Sequence, residues 1–253
     1  MKMAISGKGG SGKSTITALL AKSMAKRGYK VLVIDMDESN MGLHRYLGMP
    51  EHETLLAQLG GKQEYGKRVQ AARFAQKSNI FDQKWSFDDL PKEMVSENNG
   101  IKLLSMGKVQ KFGEGCACPI GTLSKQFFDN LVMGEGDVLI MDTAAGVEHF
   151  GRSVEKGFDC VLIVVDPSFE STLLSRRIEE MSHGQVKKTF YVLNKADGEA
   201  KDIMLTSFDK FKIAAVVPVD KGLFSSSLKG EEIKTPVKEV DELATLLESE
   251  FEK

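Results

Sequence analysis

The chain has 253 residues, of which 42% are apolar and 28% are charged, and its formal net charge is −2. This composition is ordinary for a globular protein, and the length allows one large domain with its own core. The charge argues against a broad basic surface for nucleic acid. The sequence contains no run of about 18 uncharged apolar residues, so no membrane-spanning helix is predicted. We therefore expect a protein that binds neither nucleic acid nor membrane.

Short apolar runs alternate with helical patterns along the chain. Each run is continuous rather than alternating, which is typical of strands covered on both faces of a sheet. The predicted strands are Met1–Ser6, Lys30–Asp35, Asp137–Asp142, Cys160–Asp166, Thr189–Asn194 and Ile213–Pro218. The alternation predicts an α/β fold with a mostly parallel central sheet and helices on both faces.

Two helices have clear sequence boundaries. Ser14–Arg27 has apolar residues at helical spacing, and Gly28 ends it. Thr235 and Pro236 predict the first residues of the last helix, because a capping residue is followed by proline at the first helical position. The apolar stripe of that helix consists of Val240, Leu243, Leu247 and Phe251.

The segment Pro50–Asn99 fits the alternation poorly. It contains Gly60 and Gly61, many charges and the single tryptophan, Trp85. We predict one domain over residues 1–253, with a helical and loop insertion at about 50–100 that returns to the core at Ile101–Ser105.

The first predicted strand leads into a phosphate-binding loop. The loop matches G-x-x-x-x-G-K-[ST] and consists of Gly7, Lys8, Gly9, Gly10, Ser11, Gly12, Lys13 and Ser14. A strand before it and a helix after it are the context that this P-loop motif requires. Backbone N–H groups and the helix N-terminus favour phosphate, Lys13 is expected to reach the β- and γ-phosphates, and the Ser14 hydroxyl is expected to bind Mg²⁺. We include Thr15 among the nucleotide contacts.

The position of this loop also bears on localisation. The motif begins at Gly7, so cleavage of a signal peptide would destroy it. We therefore expect a cytoplasmic protein.

Lys8 adds a second lysine to the loop. With Gly7, Gly9 and Gly10 it resembles the deviant Walker A loop of the MinD/ParA/nitrogenase iron protein class. The resemblance implies an ATP hydrolase with a P-loop NTPase fold. It also implies a face-to-face homodimer in which Lys8 contacts the partner subunit's nucleotide.

Two acidic segments follow predicted strands, where ligands of open α/β sheets lie. By the same resemblance, Asp37 positions and polarises the attacking water and Asp35 lies toward Mg²⁺. In the second segment, Asp142 holds a Mg²⁺-bound water and the Gly146 N–H senses the γ-phosphate. The catalytic residues implied are Lys8, Lys13, Asp37 and Asp142.

Base recognition is predicted at the ends of two later strands. Asn194 and Lys195 follow one of them, and Pro218 and Asp220 follow the next. Asn194 can hydrogen-bond adenine, but Asn-Lys-Ala-Asp over 194–197 is also the guanine motif of GTPases. The residues leave both bases open, and Lys8 favours ATP.

Three cysteines are too few for a disulfide framework. Cys116 and Cys118 form a C-x-C pair, which supplies two soft thiolates, half of a tetrahedral metal site. A twofold dimer axis would supply the other half. The pair therefore predicts a shared metal site, with two free thiols as the alternative, while Cys160 is expected in the core.

Several features together resemble CooC-type proteins, the nickel-handling ATPases that mature carbon monoxide dehydrogenase. They are the deviant loop, the C-x-C pair, the segment Gly146–His149 after the second acidic strand and the late segment Ser227–Ile233. The resemblance implies an ATP-dependent dimeric metallochaperone in which Cys116 and Cys118 of both subunits hold one Ni²⁺ or Zn²⁺. Its partner would be the carbon monoxide dehydrogenase apoenzyme.

Three alternatives remain open. A MinD/ParA-like positioning ATPase would need a lipid or DNA surface, but the tail Pro236–Lys253 has six acidic residues against two lysines. Four thiolates at a dimer axis could instead hold an iron–sulfur cluster. A GTP-dependent nickel maturation protein would explain Asn194–Asp197 but not Lys8.

Overall fold

The structure is a computed structural model that describes residues 1–37, 39–40, 42–108, 118–146 and 157–251, with the side chains of 118 and 119 excluded. The strands are β1 Lys2–Gly7, β2 Lys30–Asp35, β3 Ser96–Asn98, β4 Ile101–Ser105, β5 Asp137–Asp142, β6 Cys160–Val165, β7 Lys188–Asn194 and β8 Ile213–Val217. The helices are α1 Lys13–Lys26, α2 Leu43–Tyr46, α3 Leu55–Gln58, α4 Gly61–Phe74, α5 Cys118–Asn130, α6 Phe169–Ser182, α7 Gly198–Ser207, α8 Lys221–Lys229 and α9 Lys238–Phe251, with a 3-10 turn at Lys210–Lys212.

The strands form one sheet in the order β3-β4-β2-β5-β1-β6-β7-β8. Every neighbouring pair is parallel except β3 with β4. The predicted α/β fold with a mostly parallel sheet is confirmed. The N-terminal strand lies at the centre, between β5 and β6, so the chain's first loop is placed among the ends of strands formed much later.

Strand side chains alternate between two apolar layers. On β1, Met3 and Ile5 face a layer shared with α1, α2 and α9, whereas Ala4 faces a layer shared with α3, α5 and α6. Because both faces are covered, the six strands predicted from the sequence are largely apolar, whereas β3, at the edge of the sheet, is polar.

The last helix begins later than its sequence pattern predicted. The N–H groups of Val240 and Asp241 both donate to the Val237 carbonyl, so the first helical turn follows Pro236 instead of containing it. Val237 is buried in the core and holds the chain against the sheet before the helix starts. The predicted stripe is otherwise correct, since Val240, Leu243 and Leu247 are buried against α1.

The segment from 50 to 99 packs onto the sheet. Trp85, Phe87 and Leu90 are buried in the same layer as Phe127 of α5, and the Trp85 and Phe127 rings stack at 5.9 Å. None of the described helices is long and apolar enough to cross a membrane.

Candidate nucleotide-binding site

The described residues predicted to bind nucleotide and Mg²⁺ lie at the carboxyl edge of the sheet. The register places Asp35 of β2 beside Asp142 of β5, and Ile5 of β1 beside the same aspartate. The loop that follows β1 therefore lies over the ends of β2 and β5, the usual ligand position in an open α/β sheet.

Glycines shape the phosphate loop where a side chain has no room. A Cβ on Gly7 would lie 2.3 Å from the Val164 carbonyl oxygen, and a Cβ on Gly12 would lie 2.2 Å from Asn194 Nδ2. Both residues have positive φ, as does Gly10, whereas Gly9 is exposed at the loop's tip. The Lys13 ammonium bends over the loop and donates to the Lys8 carbonyl at 3.3 Å.

Other members of the loop differ in their surroundings. Ser11 is fully buried, and its Oγ has no hydrogen-bond partner among the described atoms. Thr15 is half-buried in the first turn of α1. Lys8 is half-buried, and its ammonium donates to the Ser168 hydroxyl at 3.3 Å, at the N-terminus of α6. Because the structure contains a single chain, the contact of Lys8 with a partner subunit's nucleotide stays a prediction.

Ser14 and Asp142 form a pair of hard oxygen donors. The Ser14 hydroxyl donates to Asp142 Oδ2 at 2.6 Å, and Asp142 is fully buried. Burial above all, and then the nearby Asp35 carboxylate, raise the pKa of Asp142 to about 7. Its Oδ1 has no hydrogen-bond partner in the described parts of the chain. A buried carboxylate with a spare oxygen beside a hydroxyl fits Mg²⁺, which prefers oxygen ligands.

Asn40 contacts this pair, although it was not among the site residues predicted from the sequence. Its Nδ2 donates to Ser14 Oγ at 2.6 Å, while its Oδ1 accepts the Gly42 N–H at 2.9 Å. The spacing Asp-x-Asp-x-x-Asn from Asp35 could have pointed to it.

The two aspartates after β2 have different partners. Asp35 is almost fully buried, and its Oδ2 pairs with the Lys108 ammonium at 2.6 Å. Burial raises the pKa of Asp35 to about 6, although Lys108 opposes this shift. Asp37 is half-buried, and its Oδ1 accepts from the Ser39 N–H at 2.9 Å and from its hydroxyl at 2.6 Å. Asp35 is therefore held by the protein, whereas Asp37 lies closer to solvent.

Gly146 contacts the phosphate loop itself. Its φ is +96°, and its N–H donates to the Gly7 carbonyl at 3.4 Å. The described part of the second acidic segment is thus hydrogen-bonded to the loop through backbone atoms.

Three of the residues predicted to recognise the base make hydrogen bonds to backbone groups of the protein. Asn194 Nδ2 donates to the Ser11 carbonyl at 2.7 Å, and the Lys195 ammonium donates to the Gly10 carbonyl at 2.8 Å. Asp220 caps α8 by accepting the Leu223 N–H at 2.8 Å, and Pro218 is exposed directly after β8. Asp220 also lines a cavity of about 790 Å³ between α8 and the segment that leads to α9.

With this geometry established, the comparisons with known proteins assign the family. Residues 2–233 match the family described as the CobQ/CobB/MinD/ParA nucleotide binding domain. The chain belongs to this family.

Individual relatives agree with the assignment. An uncharacterised ATP-binding protein of Methanocaldococcus jannaschii is 44% identical over 98% of this chain and 99% of its own length. The carbon monoxide dehydrogenase accessory protein CooC of Rhodospirillum rubrum is 31% identical over 91% of this chain and 89% of its own length. The septum site-determining protein MinD of Pyrococcus horikoshii, solved with Mg-ADP, superposes with a TM-score of 0.68 at 18% identity, covering 97% of this chain and 95% of that one.

The chain's membership in this family of nucleotide-binding ATPases does not establish a metal site at the cysteine pair. Cys116, the side chain of Cys118 and the residues Val147, Glu148 and His149 lie outside the described residues. In the ranges that are described, no group of three or more metal-ligating side chains is found. Cys160 is fully buried as predicted, and burial raises the pKa of its thiol.

Proposed function

We propose that the chain is an ATP-dependent dimeric metallochaperone that carries Ni²⁺ to the apoenzyme of carbon monoxide dehydrogenase. The observation that carries the proposal is the similarity to the Rhodospirillum rubrum accessory protein over nine-tenths of the chain, combined with the C-x-C pair at Cys116 and Cys118. Two such pairs across a dimer axis would give four thiolates, a set that suits Ni²⁺ or Zn²⁺ as cargo.

The nucleotide in this proposal is ATP with Mg²⁺. Lys13 and the loop amides bind the phosphates, and the Ser14 and Asp142 oxygens would hold the cation, which neutralises charge on the phosphates. Asp37 orients the attacking water through its carboxylate. Lys8 leaves Ser168 to contact the partner subunit's phosphates, so ATP favours the closed dimer.

The choice of ATP over GTP is part of the proposal. Asp197 Oδ2 accepts the Val219 N–H at 2.9 Å. One oxygen of the carboxylate that would bind guanine is therefore already hydrogen-bonded to the backbone. Hydrolysis of ATP and GTP at equal concentrations distinguishes the bases. Faster hydrolysis of GTP would favour the GTP-dependent alternative.

The deciding experiment measures metal per chain and molar mass together, under anaerobic conditions, with and without ATP and Mg²⁺. We expect one Ni²⁺ per two chains, with dimer mass. The variant C116S/C118S should lose the metal and keep its nucleotide affinity. C160S is the matched control, because this buried cysteine should not affect metal binding.

Other outcomes contradict the proposal in different ways. Unchanged metal stoichiometry in C116S/C118S would reject the cysteine site. A nucleotide-driven dimer that binds no metal would leave a switch ATPase without a metal cargo. Brown colour and visible absorbance after anaerobic purification would support the iron–sulfur alternative.

A further inference from the structure

Asp35 and Lys108 form a buried ion pair that holds both backbone polar groups of Asp37. Their side chains are 4% and 10% exposed, and Asp35 Oδ2 lies 2.6 Å from the Lys108 ammonium. The other oxygen, Oδ1, accepts the Asp37 N–H at 3.1 Å, and the Lys108 ammonium also donates to the Asp37 carbonyl. The contacts form a closed ring around the Asp37 backbone.

We propose that Lys108 is a positioning residue for nucleotide hydrolysis, acting through Asp37. The inference rests on the proposed function, in which the Asp37 carboxylate orients the attacking water. With its N–H and carbonyl both hydrogen-bonded, the Asp37 backbone is held in one position, and this fixes the point from which its carboxylate, now accepting from Ser39, would orient the attacking water. A misplacement of about 1 Å in such a group can lower a rate by about 100-fold.

Stability alone does not account for this pair. A buried ion pair contributes little net stability, because desolvation of both charges offsets their attraction. The pair lies at the carboxyl ends of β2 and β4, beside the nucleotide site, where its geometry controls a reacting group. The described hydrogen bonds of the Lys108 ammonium go to Asp35 and Asp37, and none reaches a residue of the phosphate loop. We therefore expect an effect on kcat rather than on nucleotide binding.

The test compares variants that differ only at Lys108. K108M alone would leave a buried, unpaired Asp35 and confuse misfolding with mispositioning. D35N removes that charge and already opens the ring, because the asparagine has one acceptor oxygen for two donors, but Lys108 keeps its hydrogen bond to the Asp37 carbonyl. The comparison of D35N with K108M/D35N therefore tests that remaining contact of the lysine. We expect kcat for ATP to fall about 10- to 100-fold between the two, with KM changed less than about twofold. K108R should retain more activity than K108M.

Lys102 supplies a matched control. It lies on β4, and its ammonium donates to the Phe87 carbonyl at 2.6 Å, away from the site. K102M should therefore keep the wild-type kcat.

A second measurement follows the Asp37 backbone directly. Amide hydrogen exchange of the peptide containing residues 36–40 should be faster in K108M/D35N than in D35N. Equal kcat and equal exchange in those two variants would overturn the role of Lys108. A wild-type chain that hydrolyses no nucleotide would instead refute the proposed function, so the two failures are distinguishable.

Discussion

The substitution Asp142→Asn should stabilise the ligand-free protein at alkaline pH while abolishing hydrolysis. Burial, and secondarily Asp35, raise the pKa of Asp142 from 3.8 to about 7. Between these values the folded state holds a proton that the unfolded state has lost, so the free energy of unfolding falls as pH rises. A difference of about three units corresponds to about 4 kcal/mol above pH ~7.

The amide removes this charge but introduces a cost. Ser14 can still donate to the amide oxygen, whereas the amide nitrogen would take the place of Oδ1, which has no partner among the described atoms. Such a buried donor costs about 1–3 kcal/mol. The net gain is about 1–3 kcal/mol at pH ~8. At pH ~5 the native carboxyl is already neutral, and the variant should be no more stable than the wild type.

Urea unfolding between pH ~5 and ~8, without nucleotide or Mg²⁺ and followed by Trp85 fluorescence, measures both values. Asp159→Asn is the control of opposite sign. Burial alone would raise the pKa of Asp159, but hydrogen bonds from the Lys187 ammonium and the Lys2 N–H outweigh it and lower the pKa. That variant should be less stable than the wild type throughout this range. An Asp142→Asn variant that unfolds at the same or lower urea concentration at pH ~8 would refute the reasoning.

Three further substitutions test the site and the core. Gly12→Ala should lower nucleotide affinity by at least about 10-fold in calorimetry, because its Cβ would collide with Asn194 at a φ of +101°. Asn194→Ala should weaken nucleotide binding about 10-fold in the same assay, since the Ser11 carbonyl loses its buried donor. Leu247→Ala should lower the free energy of unfolding by about 2–5 kcal/mol in urea, because α9 would leave a cavity against α1.

Local patterns in the sequence were enough to find the phosphate-loop motif and to predict six of the eight described strands, but not β3 and β4. A strand covered on both faces must be apolar throughout, and a loop around phosphate must have glycine where backbone atoms crowd, so both leave a continuous signal. Thr235 and Pro236 show the limit of this reasoning. Their pattern suits a helix start, but the burial of Val237 delays α9 to Lys238.

Contacts between distant segments could not be predicted in this way. Lys108 pairs with Asp35 because β4 lies beside β2 with Ser105 opposite Asp35, which aligns the residues that follow each strand. Nothing near Lys108 in the sequence distinguishes it from the other lysines. Asn194 is similar, since its motif suggests base contact, whereas the structure places its amide on the phosphate loop.

The central position of β1 has a consequence for how the protein is made. Strand β1 leaves the ribosome before its partners β5 and β6, whose residues lie more than a hundred positions later. Because synthesis adds about 5–20 residues per second, Met3 and Ile5 remain without these neighbouring strands for several seconds or longer. The phosphate loop waits longer still, until Asn194 and Lys195 have been added. The hydrogen bonds that Asn194 and Lys195 donate to this loop can therefore form only after more than 180 further residues have been added, so the loop gains its last supporting contacts late in synthesis.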